Sequence, residues 1–178
     1  MSQMIRTLIL GILSITFLGF LTAFLILWYF SNDLPNYRFL ETYKPAVSSK
    51  IYNNNGDIAA DFAVEKRTFV SIDETPDFVI NAFLSAEDKN FFNHPGIDAK
   101  GITRAFINNF QNIVSGKRLE GASTITQQVA KNFLLTSDVS LSRKVKEAIL
   151  AFRIEKYLSK KRILELYLNE IYLGERAY

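Results

Sequence analysis

Residues 7–30, TLILGILSITFLGFLTAFLILWYF, run for 24 positions without a charge. As a helix rising about 1.5 Å per residue this run covers about 36 Å, enough to cross the hydrocarbon core of a bilayer. It excludes a freely water-soluble chain. It also withdraws much of the 48% apolar content from any soluble core, so the 178 residues leave room for one soluble domain at most. A cleaved secretory signal has a shorter apolar core that ends on small residues. This run closes instead on Trp28, Tyr29 and Phe30, aromatic residues suited to a membrane–water boundary. The expectation is an N-terminal tail over residues 1–6 and an uncleaved anchor over residues 7–30. Arg6 and the α-amino group at one end, against a flank of mixed charge at the other, favour the N-terminus inside. The chain has no cysteine, which does not identify a compartment.

Beyond the anchor the charge divides. Residues 31–98 hold 6 basic and 11 acidic side chains, a net of −5, whereas residues 99–178 hold 14 basic and 7 acidic, a net of +7. Differently solvated faces would account for this; the sharper reading is an anionic ligand held by the second half. Nucleic acid is excluded as a partner, because the basic residues are interleaved with acids, no nucleic-acid motif occurs and the anchor holds the domain at a membrane.

Residues 31–48 contain two prolines and no apolar periodicity, and read as a linker. Residues 49–72 read as a β-hairpin region: strands around Ile51 and over residues 58–62, a turn at Asn53 to Asp57, and a third strand over residues 67–72. From Thr75-Pro76-Asp77 onward the signals are helical. The first helix is expected to turn Phe78, Ala82, Phe83 and Ala86 inward and to deliver Glu87 near its end. Asp98 caps the next, whose Ile102, Phe106, Ile107, Phe110, Ile113 and Val114 cover more than one face; a buried core helix and a segment dipping into the bilayer interface both remain open. A helix from Ser140 shows Leu141, Val145, Ala148, Ile149 and Phe152 as a core-facing stripe. Ser159 caps the last, with Ile163, Leu164, Tyr167 and Ile171 inward and Gly174 as its stop.

Three stretches carry residue types suited to chemistry. In residues 121–132, Ile125, Val129 and Phe133 share one helical face while Thr124, Gln128 and Lys131 share another. A face of hydroxyls, amides and one ammonium suits a ligand, although it also suits a neighbouring helix. The helix start behind Gly121, with Ser123, offers an anion site. In residues 85–96, Glu87 and Asp88 precede aromatics, the only histidine, His94, and a Pro-Gly turn. A carboxylate near apolar walls is fitted to general acid or base work, but most acids are merely solvated. With one histidine and no cysteine, neither a zinc site nor a Ser-His triad is expected. In residues 143–147, Arg143 and Glu147 stand at i and i+4, either as a surface ion pair or as a cationic patch beside a second carboxylate, suited to phosphate.

These stretches together resemble the peptidoglycan glycosyltransferase domain of class A penicillin-binding proteins and their monofunctional relatives. Glu-Asp-x-x-Phe-x-x-His-x-Gly is matched at Glu87, Asp88, Phe91, His94 and Gly96. Gly-x-Ser-Thr-Ile-Thr-Gln-Gln follows at residues 121–128, Arg-Lys-x-x-Glu at 143–147, and Lys-x-x-Ile-Leu-Glu-x-Tyr-Leu-Asn at 160–169. A fifth motif begins at Tyr172 and is cut off at Tyr178. The resemblance implies a mainly α fold with a lysozyme-like glycosyltransferase lobe over residues 75–178, incomplete at its C-terminus, preceded by the transmembrane helix and the hairpin region. It implies polymerisation of lipid II with inversion and release of undecaprenyl pyrophosphate, at the outer face of the bacterial cytoplasmic membrane. Glu87 would be the general base and Glu147 the second important acid. Lys131 and Arg143 would stabilise the leaving pyrophosphate, Ser123, Thr124 and Gln128 would line the donor site, and Asp88, Phe91 and His94 would shape the site. The segment over residues 102–114 falls where the family has its membrane-embedded jaw. The resemblance makes no cofactor certain and leaves open a divalent cation, Mg or Mn, that Glu147 would orient. The partners implied are lipid II, the growing glycan strand, membrane lipid and cell-wall synthesis proteins. Neither Ser-x-x-Lys nor Lys-Thr-Gly occurs, so this chain alone is not expected to bind penicillin. A lysozyme-like glycan-cleaving enzyme and a non-catalytic anchored scaffold are the competing expectations.

Overall fold

The computed structural model describes residues 3–45, 49–62, 68–136, 138 and 140–172. Helix α1, Gln3–Ser31, exceeds the expected anchor at both ends, and no residue in it is buried against the rest of the chain. It is long and apolar enough to cross a membrane. An antiparallel hairpin follows, β1 (Ser49–Tyr52) with β2 (Ile58–Phe62), paired Ser49↔Phe62 through Tyr52↔Ile58 with a bulge between Ile51 and Tyr52. Its turn is built as the sequence indicates. Asn53 Oδ1 accepts the N–H groups of Asn55 and Asp57, each at 2.9 Å, and Gly56 takes the positive φ of 86° that a side chain would resist.

Five further α-helices follow: α2 (Asp77–Glu87), α3 (Ala99–Val114), α4 (Ile125–Leu134), α5 (Leu141–Tyr157) and α6 (Lys160–Glu170), with a short 3-10 turn at Phe91–Asn93 after α2. The core lies where α4 meets α5 and α6, on Ile125, Val129, Leu150, Ile154, Ile163, Leu164 and Tyr167. The starts of α5 and α6 are read correctly from sequence. Ser140 and Ser159 accept the backbone N–H of Arg143 and Arg162 at 3.1 and 3.2 Å, satisfying donors that a helix start otherwise leaves without partners. The mainly helical architecture with one small sheet agrees with the expected fold class.

The residues read as a linker are fastened down. Leu40, in a 3-10 turn at Arg38–Glu41, is fully buried in the core, and Tyr43 packs edge-on against Phe133 with ring centroids 4.9 Å apart. Arg162 on α6 holds this segment by donating to the carbonyls of Leu40 and Tyr43. On α5, Lys146 reaches Asp33 at 2.6 Å, and Arg153 donates to Ser31, so the end of α1 lies along one side of α5.

Several inward-facing assignments are corrected. Residues 68–72 form no strand, and residue 67 lies outside the described residues. Their backbone groups bond to α6 instead: Val70 N–H donates to Asn169 Oδ1 at 2.9 Å and Val70 C=O accepts from Asn169 Nδ2 at 2.8 Å, while Ile72 N–H donates to Glu165 Oε2 at 3.0 Å. One carboxamide thus replaces a strand partner, satisfying both backbone groups of Val70. On α2, Phe78 is 75% exposed and Ala82 and Ala86 are exposed; Ile80, Phe83 and Leu84 meet the core. On α5 the apolar stripe is not the core face. Leu141 and Phe152 are exposed, whereas Glu147, Leu150, Ala151 and Ile154 are buried, because α5 presents that second face to the core. Gly174 lies outside the described residues, and α6 ends at Glu170. For α3 the two readings separate: only Gly101 and Ala105 are buried, while Phe106, Phe110, Ile113 and Val114 are at least two-thirds exposed.

Replacing Leu40 by Ala removes a fully buried side chain that joins the post-anchor segment to the core, and is expected to lower stability by about 2–5 kcal/mol. Denaturant unfolding of the detergent-solubilised protein measures it.

Candidate active site

The chain turns sharply at the end of α2, separating two adjacent carboxylates. Glu87 is exposed, and its Oε2 accepts from Gln128 Nε2 on α4 at 2.8 Å. Asp88 is buried at 6% exposure. Its carboxylate meets His94 Nε2 at 2.9 and 3.0 Å, and Oδ2 also accepts the backbone N–H of Ile125 at 3.0 Å. His94 Nδ1 accepts the Gly96 N–H at 3.2 Å, so the ring proton sits on Nε2 and is donated to Asp88.

Further contacts lock the same loop. Thr124 Oγ1 donates to Gly96 C=O at 2.6 Å, and Lys160 donates to His94 C=O at 2.7 Å while standing 4.3 Å from the centroid of the Phe91 ring. A Cβ on Gly96, whose φ is +96°, would lie 2.7 Å from Ala151 C=O, so the loop sits directly on α5. Asn90 donates to Asp98 Oδ2 at 3.0 Å; this bond, followed by the Gly101 backbone N–H, holds the Asp98 carboxyl below its ordinary value. Asp88, Phe91 and His94 are therefore buried behind Glu87, and Glu87 alone of these four is exposed.

The helix-start anion site takes a different form from the one expected. Helix α4 begins at Ile125 behind Thr124, whose hydroxyl accepts the Gln127 N–H at 3.2 Å while Gln127 Oε1 accepts the Thr124 N–H at 3.0 Å. The anion at this terminus is the Asp88 carboxylate itself. Thr124 is 2% exposed with its hydroxyl committed, whereas Ser123 turns the other way and accepts from Lys144 Nζ at 2.7 Å.

Glu87, Gln128 and Ser123 line a cleft of about 580 Å³ together with Lys89, Arg104, Arg118 and Glu120. Its far wall is a loop held by α3: Asn108 donates to Glu120 Oε2 at 2.7 Å, and Asn109 exchanges two hydrogen bonds with the Glu120 backbone. A second hollow, of about 420 Å³, brings Lys131 and Arg143 together with Asn132, Thr136, Glu170 and Tyr172. Glu147 links them through Lys144, which bonds Ser123 of the cleft, and through Arg143, which lines the hollow. It is 2% exposed, with Oε2 accepting from Lys144 Nζ at 2.7 Å and Oε1 3.3 Å from Arg143 Nε. The latter pair is close enough to attract but is not aligned as a hydrogen bond, so both buried atoms retain hydrogen-bonding capacity. A solvated surface ion pair is thus replaced by a buried carboxylate between two cations, which costs far more to break.

Lys89, Arg104 and Arg118 were not singled out as cleft residues from the sequence, and they reach the cleft only through the tertiary fold; Lys144 stands in the Arg-Lys-x-x-Glu motif but was given no separate role. The divalent cation has no evident ligand set. Glu147 already faces two cations, and among the described residues no group of three or more His, Cys, Asp or Glu side chains is placed to hold a metal. No step is derived through one.

Fold and motif order define a lysozyme-like helical lobe around one exposed cleft glutamate. The chain belongs to the transglycosylase family, whose model matches residues 55–178. The likeness to class A penicillin-binding proteins is borne out by relatives named penicillin-binding protein 1A. That of Rickettsia felis is 50% identical over 158 residues, covering 89% of this chain and 20% of the relative. Those of Aquifex aeolicus and Neisseria flavescens are 48% identical over 170 and 145 residues, covering 96% and 82% of this chain and 23% and 18% of the relatives. The chain therefore spans about a fifth of the length of the curated relatives it matches.

Asp88→Ala leaves two buried donors, on His94 and Ile125, without an acceptor. A stability loss of at least about 2 kcal/mol is expected, since each unsatisfied buried group costs about 1–3 kcal/mol. Thermal unfolding beside a Glu87→Ala control, expected to be near neutral in stability, checks it.

Proposed function

We propose that this lobe is a peptidoglycan glycosyltransferase that polymerises lipid II. Glu87 is the general base: it takes the proton of the acceptor GlcNAc 4-hydroxyl as that oxygen attacks the anomeric carbon of the donor MurNAc. The bond from that carbon to the pyrophosphate oxygen breaks on the opposite side, inverting the centre and releasing undecaprenyl pyrophosphate. Lys131 and Arg143 stabilise the charge that develops on the leaving group, since preorganised cations act most strongly where negative charge grows. Glu147 orients Arg143 and Lys144, Ser123 and Gln128 border the donor, and Asp88, Phe91, His94 and Thr124 hold the frame. The observation that carries this reading is the placement of one exposed glutamate in a cleft whose neighbouring hollow gathers two cations from different helices. A neutral glycan, as cleaved by a lysozyme-like enzyme, would not need those cations.

The same reading places α1 across the bacterial cytoplasmic membrane with the N-terminus inside and the lobe on the outer face. The exposed apolar side of α3 enters the bilayer where the lipid substrate is delivered. Membrane lipid, the glycan strand and other cell-wall synthesis proteins are the partners.

In the full-length protein, Glu87→Gln is expected to lower lipid II polymerisation at least ~10³-fold, within the ~10²–10⁴-fold typical of a general base. A wild-type rate sinks the assignment. Cleaved glycan with no polymer made from lipid II would establish the lytic reading instead. For α3, Phe110→Trp with every other tryptophan replaced, Trp28 by Phe among them, creates a single reporter, expected to emit at short wavelength and to be quenched by brominated acyl chains in vesicles. Long-wavelength, unquenched emission would place α3 outside the bilayer.

A further inference from the structure

Tyr167, on α6, is 1% exposed, and its hydroxyl has no hydrogen-bond partner among the described residues. A buried phenol normally finds one, and a phenylalanine would fill the same space without leaving a polar atom unsatisfied. Its ring packs edge-on against Phe83 of α2, with centroids 6.1 Å apart at 81°. Phe83 lies one helical turn before Glu87 on the same helix, so Tyr167 stands beneath the turn that carries the cleft carboxylate. Burial, and after it the charge of Glu87, push the Tyr167 hydroxyl above its ordinary pKa, so it remains a protonated donor throughout the neutral range.

We propose that Tyr167 is a positioning residue for Glu87: its hydroxyl donates to the Glu87 carboxylate when acceptor enters the cleft and Gln128 is drawn to the substrate. In the unliganded protein, among the described residues, Glu87 is held by Gln128 from α4 alone. A carboxylate at a helix end with one such bond has rotational freedom. A second donor from α6, fixed by the core, sets its orientation and favours its ionised form, the one that can accept a proton. The other charged groups facing Glu87 across the cleft are Lys89 after α2, Arg104 on α3, and Arg118 and Glu120 on the following loop. They approach from the solvent side, whereas Tyr167 approaches from the core.

This inference rests on Glu87 being the base, and the test separates the two. In the full-length protein in detergent with lipid II as substrate, Tyr167→Phe is expected to unfold at or above the wild-type midpoint, because it loses only an unpaired hydroxyl. KM for lipid II should stay unchanged and kcat should fall about 3- to 30-fold. The acidic limb of the kcat/KM profile should move to higher pH by about half a unit to one unit, the sign expected when a donor to the ionised carboxylate is removed. In a Glu87→Gln background the same substitution should cause no further loss. If Glu87→Gln abolishes activity while Tyr167→Phe leaves kcat and the acidic limb untouched, the role of Tyr167 is overturned and the base stands. Loss of rate with a lowered unfolding midpoint and an unmoved limb overturns it equally, as a structural effect. A wild-type rate for Glu87→Gln overturns both.

Discussion

The buried carboxylate of Asp88 is the joint on which the lobe depends. It receives a proton donor from His94, six residues on, and the first N–H of α4, 37 residues on. A helix N-terminus favours a negative charge, and here the charge comes from within the chain. This bond relates the end of α2 to the start of α4, and the geometry of Glu87 against Gln128 follows from it. Gly96 completes the joint, because no other residue could lie so close to the α5 backbone with that φ. Motif residues that look like chemistry in one dimension thus act largely as the frame for the one carboxylate exposed beside them.

Helix α6 performs a similar service for the non-helical parts. Its apolar side enters the core through Ile163, Leu164 and Tyr167, while Arg162, Glu165 and Asn169 bind the carbonyls and amides of residues 40, 43, 70 and 72. Buried or half-buried backbone must find partners, and where no sheet is available side chains supply them. The post-anchor segment is held to the lobe by Arg162, Lys146 and Arg153 rather than hanging from it, which fixes how the end of α1 meets α5.

Charge is arranged between these supports in a graded way. From the exposed Glu87 the polar groups pass through Gln128 and Ser123 to Lys144, then to the buried Glu147 and on to Arg143 and Lys131. Glu147 keeps two cations close together that would otherwise repel, and its misaligned contact with Arg143 leaves the Arg143 Nε without a hydrogen-bond partner among the described residues. The two adjacent cations of the third motif part company in space: Lys144 bonds Ser123 at the cleft, and Arg143 lines the second hollow.

Much of this was legible in one dimension. The anchor, the Asn53 to Asp57 turn, the Ser140 and Ser159 caps and the delivery of Glu87 at a helix end follow from local rules of hydropathy, hydrogen bonding and dipole, which act within a few residues. The order of the motifs indicated the family for the same reason. What only the tertiary structure decided was the direction each polar and apolar group faces. The α5 stripe was misread because α5 turns a different face to the core, the third strand because Asn169 satisfies Val70 in place of a neighbouring strand, and Thr124 because Gly96 claims its hydroxyl. Glu87 and Asp88 are the sharpest case. They are adjacent acids with no local difference to tell them apart, yet one is exposed in the cleft and the other is buried among donors, because burial and partnership depend on contacts between residues far apart in the chain.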